Sequence, residues 1–126
     1  MSELTGRRIL ACGAVLAGIA VATGAFGAHM LRPRLTERMM EVFETGVRYH
    51  MFHSLAILFS GWAFVQFESG MFRKAALAFF AGILFFSGSL YVLAISDVRW
   101  LGAMTPIGGV CFLTGWVCMA IGFLRR

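Results

Sequence analysis

Residues 101–124, LGAMTPIGGVCFLTGWVCMAIGFL, contain no charged residue and are long enough to cross a membrane as a helix. A membrane-spanning helix needs about 20 mostly apolar residues, because each residue adds about 1.5 Å to its length. Within this stretch small residues recur at alternating intervals of three and four, at Gly108, Cys111, Gly115, Cys118 and Gly122. Small residues in this pattern let membrane helices approach closely. We therefore expect a membrane helix with a packing face.

Three further stretches pass the same length test, namely residues 9–28, 47–67 and 75–95. They contain no Lys, Asp or Glu, and their only arginine, Arg48, lies at one end. The whole chain is 60% hydrophobic and 13% charged, whereas a soluble domain carries about 25% charged residues. The sequence therefore predicts an all-α integral membrane protein, with one domain of residues 1–126 folded as an antiparallel up-and-down bundle of four helices.

The first stretch also has a face of small residues, which includes Gly13, Ala17, Gly24 and Ala28. A cleaved signal peptide is the alternative for this stretch, because two arginines precede it and Ala20-Val21-Ala22 resembles a cleavage site. The apolar run continues beyond Ala22 to a full spanning length, which favours a retained helix that packs closely on a neighbour.

Residues 35–46 have an amphipathic pattern between the first two stretches. Apolar or small residues fall on one helical face, and charged residues, including Glu44, fall on the other. A helix of this kind lies in the membrane interface with its apolar face toward the lipid. We expect a short interfacial helix here, with Gly46 as the bend into the second membrane helix.

The net charge of +5 comes from basic residues at the predicted helix ends. Six fall at one end of a four-helix arrangement: Arg7, Arg8, Arg73, Lys74, Arg125 and Arg126. Five fall at the other end: Arg32, Arg34, Arg38, Arg48 and Arg99. Cytoplasmic loops of membrane proteins carry the excess of Lys and Arg. The narrow majority predicts a multi-pass membrane protein with both termini in the cytoplasm, and the position of the charges at helix ends makes the lipid bilayer, not nucleic acid, the expected partner.

Up-and-down threading brings most of the distinctive polar residues to one face of the membrane. We call this predicted group the polar cap; it comprises His29, Glu44, Arg48, Tyr49, His53, Ser87, Tyr91, Trp100 and Thr105. His53 lies about one and a half turns inside its helix, and an ionisable group at that depth has a partner in the bundle. Tyr91, Ser87 and His29 are the candidates. We expect the cap to bind a ligand, a lipid or a protein partner.

Three alternatives have weaker support. A metal or haem site would use His50 and His53 with His29, but no HExxH or CxxC pattern accompanies them. Covalent catalysis lacks a nucleophile pattern such as GxSxG, so we expect no catalytic residues, no metal and no cofactor. A small transporter or channel subunit would need to oligomerise through the Gly108 to Gly122 stripe. A second copy of the chain or another membrane protein would then be a partner.

Four segments together resemble one known family: GAFGAH (24–29), ETGVRYHMFHSLA (44–56), FSGSLY (86–91) and RWLGAMTPIGG (99–109). These are similar to domain-of-unknown-function family 423, which consists of small inner-membrane proteins of bacteria with eukaryotic relatives. The resemblance implies four transmembrane helices and no established activity. The family's motif positions correspond here to His29, Tyr49, His53, Ser87, Gly88, Tyr91, Trp100, Pro106, Gly108 and Gly109. At His50 the family more often has glutamine, which weakens the metal interpretation.

Overall fold

The computed structural model describes residues 2–125, which form four helical rods. The first rod is α1 (Ser2–Phe26), extended by a π-helical turn (Gly27–Leu31), and the second is α2 (Glu37–Phe67). The third joins α3 (Gly70–Gly82) to α4 (Gly88–Ser96) through a second π-helical turn (Ile83–Ser87). A 3-10 turn (Arg99–Ala103) leads into the fourth rod, α5 (Thr105–Leu124). The described part of the chain is thus all-helical, as the sequence predicts.

Local sequence explains where the rods begin and end. Thr36 caps α2 by accepting a hydrogen bond from the Met39 N–H (3.2 Å), and Ser69 caps α3 in the same way. Glu68 and Asp97 follow the ends of α2 and α4 with φ of 51° and 55°, the left-handed conformation that stops a helix. Pro106 lies in the first turn of α5, where its missing N–H leaves no hydrogen bond unmade.

The small residues of the first rod pack against α2. Gly13 lies against Leu58 and the Ser54 backbone, and a Cβ at Gly24 would approach Val47 to 3.2 Å. Ala17 is partly buried. The expected contact at Ala28 is wrong, because Ala28 is exposed and the neighbouring Gly27 lies against Phe43 instead. Gly27 lies seven residues after buried Ala20 and fourteen after buried Gly13, so it continues the helix face that meets α2.

The glycines of α5 pack against a row of phenylalanines on the third rod. Gly108, Gly115 and Gly122 lie against Phe86, Phe79 and Phe72 respectively. Both series repeat every seven residues and run in opposite chain directions. One contact has the opposite arrangement, because Gly82 of α3 lies against Phe112 of α5. Cys111 and Cys118, also on this face, are partly buried free thiols. The contact made by the stripe is therefore internal to the chain.

The predicted separate interfacial helix is wrong. α2 runs without a break from Glu37 to Phe67, and Gly46 does not bend it. Gly46 is buried where a Cβ would lie 2.8 Å from Tyr91 Cε1, so its lack of a side chain serves close packing against α4. The apolar face of the amphipathic stretch, with Met40 and Phe43, is covered by Leu31 and Ala94 of neighbouring rods. Because this face is buried in the protein, it has no need of the lipid interface.

Three helical segments in residues 2–125 are long and apolar enough to cross a membrane: Glu3–Leu31, Gly70–Ser96 and Arg99–Leu124. α2 is not among them, although it is the longest helix. Its interior holds polar residues such as His50, His53 and Ser54, all of which are buried. α2 packs on α1, α3 and α4. The least apolar rod is therefore the one most enclosed by the others.

Candidate functional site

His53 is 5% exposed, and both of its ring nitrogens have partners. Nδ1–H donates to the Tyr49 carbonyl at 2.8 Å, and Nε2 accepts from the Trp116 indole N–H at 3.1 Å. A carbonyl can only accept and an indole N–H can only donate, so these partners fix the tautomer. The ring also stacks on Phe112, with centroids 3.6 Å apart and planes at 10°. His53 therefore joins α2 to α5.

The partner of His53 was not among the residues expected from the sequence. Tyr91, Ser87 and His29 were the candidates, whereas the structure uses Trp116. The side chain of Trp116 is nearly half exposed, with its N–H turned inward. A tryptophan at the surface of an apolar helix is typical of a lipid-facing anchor. The one feature of Trp116 that could have pointed to His53 is its indole N–H, which needs a hydrogen-bond acceptor when it is buried.

Buried His50 and half-buried Tyr91 form a second pair, between α2 and α4. His50 Nδ1 lies 2.8 Å from the Tyr91 hydroxyl, and the rings are 6.0 Å apart. His50 Nε2 has no hydrogen-bond partner among the described residues. The Leu16 backbone of α1 is close to this ring but is not aligned for a hydrogen bond. The pair places polar atoms between α2 and α4, and Tyr91 also lines a groove of about 320 Å³ with Phe26, Phe43 and Ile95.

Two serines complete the cross-helix hydrogen bonds. Ser87 donates to the Gly46 carbonyl of α2 at 2.7 Å, and Ser89 lies 2.8 Å from the Thr105 hydroxyl of α5. Both serines are buried. Ser87 and Thr105 belong to the predicted polar cap, and here they bond to the helices that they face. These hydroxyls are therefore used to hold helices together.

Other polar-cap residues lie apart from this interior group. His29, Arg48 and Trp100 are exposed, and Trp100 is 66% exposed. Glu44 forms an ion pair with Arg32 near the surface. Tyr49 lies at the edge of the bundle with its ring on Phe86. The structure thus divides the polar cap into interior hydrogen bonds, a surface ion pair and exposed side chains, and does not gather it around one pocket.

A cleft of about 410 Å³ does open at this end of the molecule. It lies between the start of α2 and the connection from α4 to α5, and its lining is Thr36, Arg38, Met39, Val42, Leu93, Asp97 and Arg99. We call it the arginine cleft. Its two arginines are exposed and face one aspartate. The ion pair found within residues 2–125 joins Arg32 to Glu44, so it does not neutralise either arginine.

The sequence did not single out the arginine cleft. In the sequence, Arg38 and Arg99 indicate only the orientation in the membrane. They come together because α2 is continuous through Gly46, which places its first turns beside the end of α4. Within the described residues, His, Cys, Asp and Glu side chains form no group of three that could hold a metal ion.

Removing the Tyr91 hydroxyl is expected to destabilise the bundle by about 1 kcal/mol, since Tyr91→Phe leaves both nitrogens of buried His50 without a partner. Chemical unfolding in mild detergent, followed by far-UV circular dichroism, measures this change. Tyr49→Phe is the control, because it removes a hydroxyl that makes no hydrogen bond among the described residues. If Tyr91→Phe and Tyr49→Phe lost the same free energy of unfolding, the assigned role of the His50–Tyr91 pair would be contradicted.

Apolar helices of spanning length, with polar side chains buried between them, define an integral membrane protein of the α-helical class. The chain belongs to the family described as Protein of unknown function (DUF423), whose family model matches residues 23–109. The resemblance found in the sequence is thereby confirmed. The matched range contains all of the predicted polar-cap residues and the arginine cleft.

Relatives from several bacteria cover nearly the whole chain. A UPF0382 membrane protein of Staphylococcus epidermidis is 46% identical over 90% of this chain and 92% of its own length. The UPF0382 membrane protein YwdK of Bacillus subtilis is 39% identical over 90% and 93%. The UPF0382 inner membrane protein YgdD of Escherichia coli is 41% identical over 97% and 93%. No solved structure matches the chain.

Proposed function

We propose that this protein is a non-enzymatic membrane protein that binds a ligand or partner carrying an anionic group at the arginine cleft. The observation that carries the proposal is an excess of positive charge, from two arginines outside the ion pair of the described residues against one aspartate, beside an open apolar wall of Met39, Val42 and Leu93. Guanidinium groups bind carboxylates and phosphates in a forked geometry. The buried histidines and serines are engaged in helix contacts. A neighbouring groove at this end is lined by Arg32, Glu37, Glu41 and Glu44 and is mainly acidic, so the arginine cleft is the better place for an anion.

The proposal includes an antiparallel bundle with four membrane crossings. Gly6 lies against Val65 and Gly27 against Phe43, so α1 and α2 meet in opposite chain directions. The same holds for α5 and the third rod. Enclosure by α1, α3 and α4 supports a crossing by α2, because a polar helix face is tolerated in a membrane when other helices cover it.

The proposed location is the cell inner membrane, with both termini in the cytoplasm. The basic majority at the end that contains both termini supports this orientation. The name of the Escherichia coli relative, an inner membrane protein, supports the location. In this arrangement the arginine cleft faces the opposite side of the membrane.

The two alternatives have less support. A channel built from several copies would need the small-residue stripe of α5 at a subunit contact, but Gly108, Gly115 and Gly122 already pack on the third rod. A metal or haem site at His53 would have to displace the Trp116 N–H from Nε2, the ring nitrogen that is not bonded to the Tyr49 carbonyl. Partners other than the lipid bilayer are therefore expected at the arginine cleft.

The variant Arg38→Ala/Arg99→Ala is expected to lose binding of a small anionic amphiphile. Decanoate is a suitable probe, since its carboxylate matches the arginines and its chain matches the apolar wall. Decanoate is added in increasing amounts to the purified full chain, and the melting temperature is measured. The melting temperature of the wild type should rise to a plateau. The double variant should show no saturable rise.

Arg34→Ala/Arg48→Ala is the matched control for this experiment. It removes two exposed arginines from the same end of the molecule without changing the lining of the arginine cleft. The control should respond to decanoate as the wild type does. The same titration curve in all three proteins would show that the fatty acid acts on the detergent or the general surface, and the proposed site would be wrong.

A further inference from the structure

A second groove lies between α1 and α3, at the end of the molecule opposite the arginine cleft. It has a volume of about 310 Å³. Arg8 and Arg73 line it near the start of their helices, with Ile57 of α2 between the two walls. The remaining wall residues are mainly apolar and include Ile9, Cys12, Leu77 and Phe80. We call this the lipid groove, for the reasons that follow.

The packing of the rods explains why the lipid groove exists. α1 and α3 each pack on α2 but make almost no contact with one another. Buried Ile57 of α2 therefore forms a floor between them. On α3 the groove residues Arg73, Leu77 and Phe80 share one helix face, which extends for about 10 Å. The result is an apolar trough that leads away from a charged end.

No acidic residue lines the charged end of the groove. Arg8 and Arg73 are exposed, and neither takes part in the ion pair found among residues 2–125. The acidic residues of this end, Glu3 and Glu68, do not line the groove. Two arginines therefore face the same opening, and an occupant with an anionic head would be held from both helices.

We propose that the lipid groove binds an anionic glycerophospholipid, with its phosphate between Arg8 and Arg73 and part of an acyl chain along Leu77 and Phe80. Arginine pairs suit a phosphate because each guanidinium can donate two parallel hydrogen bonds. Basic pockets between membrane helices bind anionic lipid headgroups. A free phosphate would leave the apolar trough unused, and an uncharged lipid would leave the arginines unused.

The lipid groove and the arginine cleft are independent. They share no residue and lie at opposite ends of the rods. Failure of one proposal therefore leaves the other standing, because each has its own pair of arginines and its own control variant.

The test measures binding of palmitoyl-oleoyl phosphatidylglycerol to the purified full chain in mild detergent by native mass spectrometry. Palmitoyl-oleoyl phosphatidylcholine, of the same chain composition, is the zwitterionic comparison with no net headgroup charge. We expect the wild type to retain phosphatidylglycerol selectively and Arg8→Ala/Arg73→Ala to bind it about tenfold more weakly. Arg7→Ala/Lys74→Ala is the matched control, since it removes the two adjacent exposed charges, which do not line the groove. It should bind like the wild type.

Three results would overturn the proposal. The first is equal retention of phosphatidylcholine and phosphatidylglycerol by the wild type, a comparison that does not depend on how any variant folds. The second is equal weakening in the two double variants, which would indicate attraction by general surface charge. The third is displacement of phosphatidylglycerol by glycerol 3-phosphate at comparable concentration, which would assign the arginines to a soluble phosphate.

Discussion

Replacing Gly108 with alanine is expected to destabilise the bundle by about 1 to 3 kcal/mol, the usual cost of excess volume in a packed interior. A Cβ at this position would collide with the backbone and Cβ of Phe86, so the change cannot be absorbed by rotation of a flexible side chain. α5 would have to move away from the third rod. Unfolding in a mixed detergent series, followed by circular dichroism, measures the loss.

The next residue provides a matched control. Gly109 lies in the same turn of α5, and a Cβ there would meet nothing within 4 Å. Gly109→Ala should be neutral or stabilising, because alanine favours a helix interior over glycine by about 1 kcal/mol. If Gly108→Ala proved as stable as Gly109→Ala, the close contact of α5 with the third rod would be wrong.

Replacing His53 with alanine is expected to cost about 3 kcal/mol of folding free energy. The change leaves a cavity beside Phe112 and removes the partners of the Tyr49 carbonyl and the Trp116 N–H. Thermal and chemical unfolding of the purified protein give the loss. Trp116→Phe, which removes the N–H and keeps an aromatic ring, should cost about 1 kcal/mol.

A double-mutant cycle separates the hydrogen bond from the packing. In the combined variant His53→Ala/Trp116→Phe, the loss should be smaller than the sum of the two single losses, because one interaction is removed twice. Trp62→Phe is the control, since the exposed Trp62 lies elsewhere on α2 and contacts Phe59 and Phe67. Strict additivity would contradict the bond between His53 and Trp116.

Much of the helix packing could be predicted from the sequence. The spacing of Gly108, Gly115 and Gly122 identifies a close contact, since only small residues in a stripe let two helices meet so closely. The spacing does not say which helix is opposite. It also does not distinguish Ala28 from Gly27, which both follow Gly24 at helical spacing, and the contact with Phe43 is at Gly27.

The error at Gly46 has a different physical origin. Glycine at the junction of an amphipathic and an apolar stretch is consistent with a bend, because glycine weakens a helix. It is equally consistent with a straight helix whose neighbour needs the space, and the sequence holds no sign that Tyr91 fills it. With the helix straight, Arg38 reaches the arginine cleft, a grouping that local pattern could not indicate.

The candidate site was predictable only in part. An ionisable residue at the depth of His53 requires a buried partner, and this reasoning identified the residue correctly as an interior one. The choice of partner depended on how α5 is rotated about its axis. Trp116 lies 63 residues away in the chain, so no local pattern links it to His53.

The polar interior of α2 has a consequence for how this helix crosses the membrane. In the proposed topology α2 must cross the bilayer, although its composition falls short of what a lone helix needs. Its polar face is covered by α1 along the length from Gly6 to Gly27 and by parts of the third rod. In that topology the crossing of α2 depends on its pairing with α1 and the third rod, which cover its polar residues.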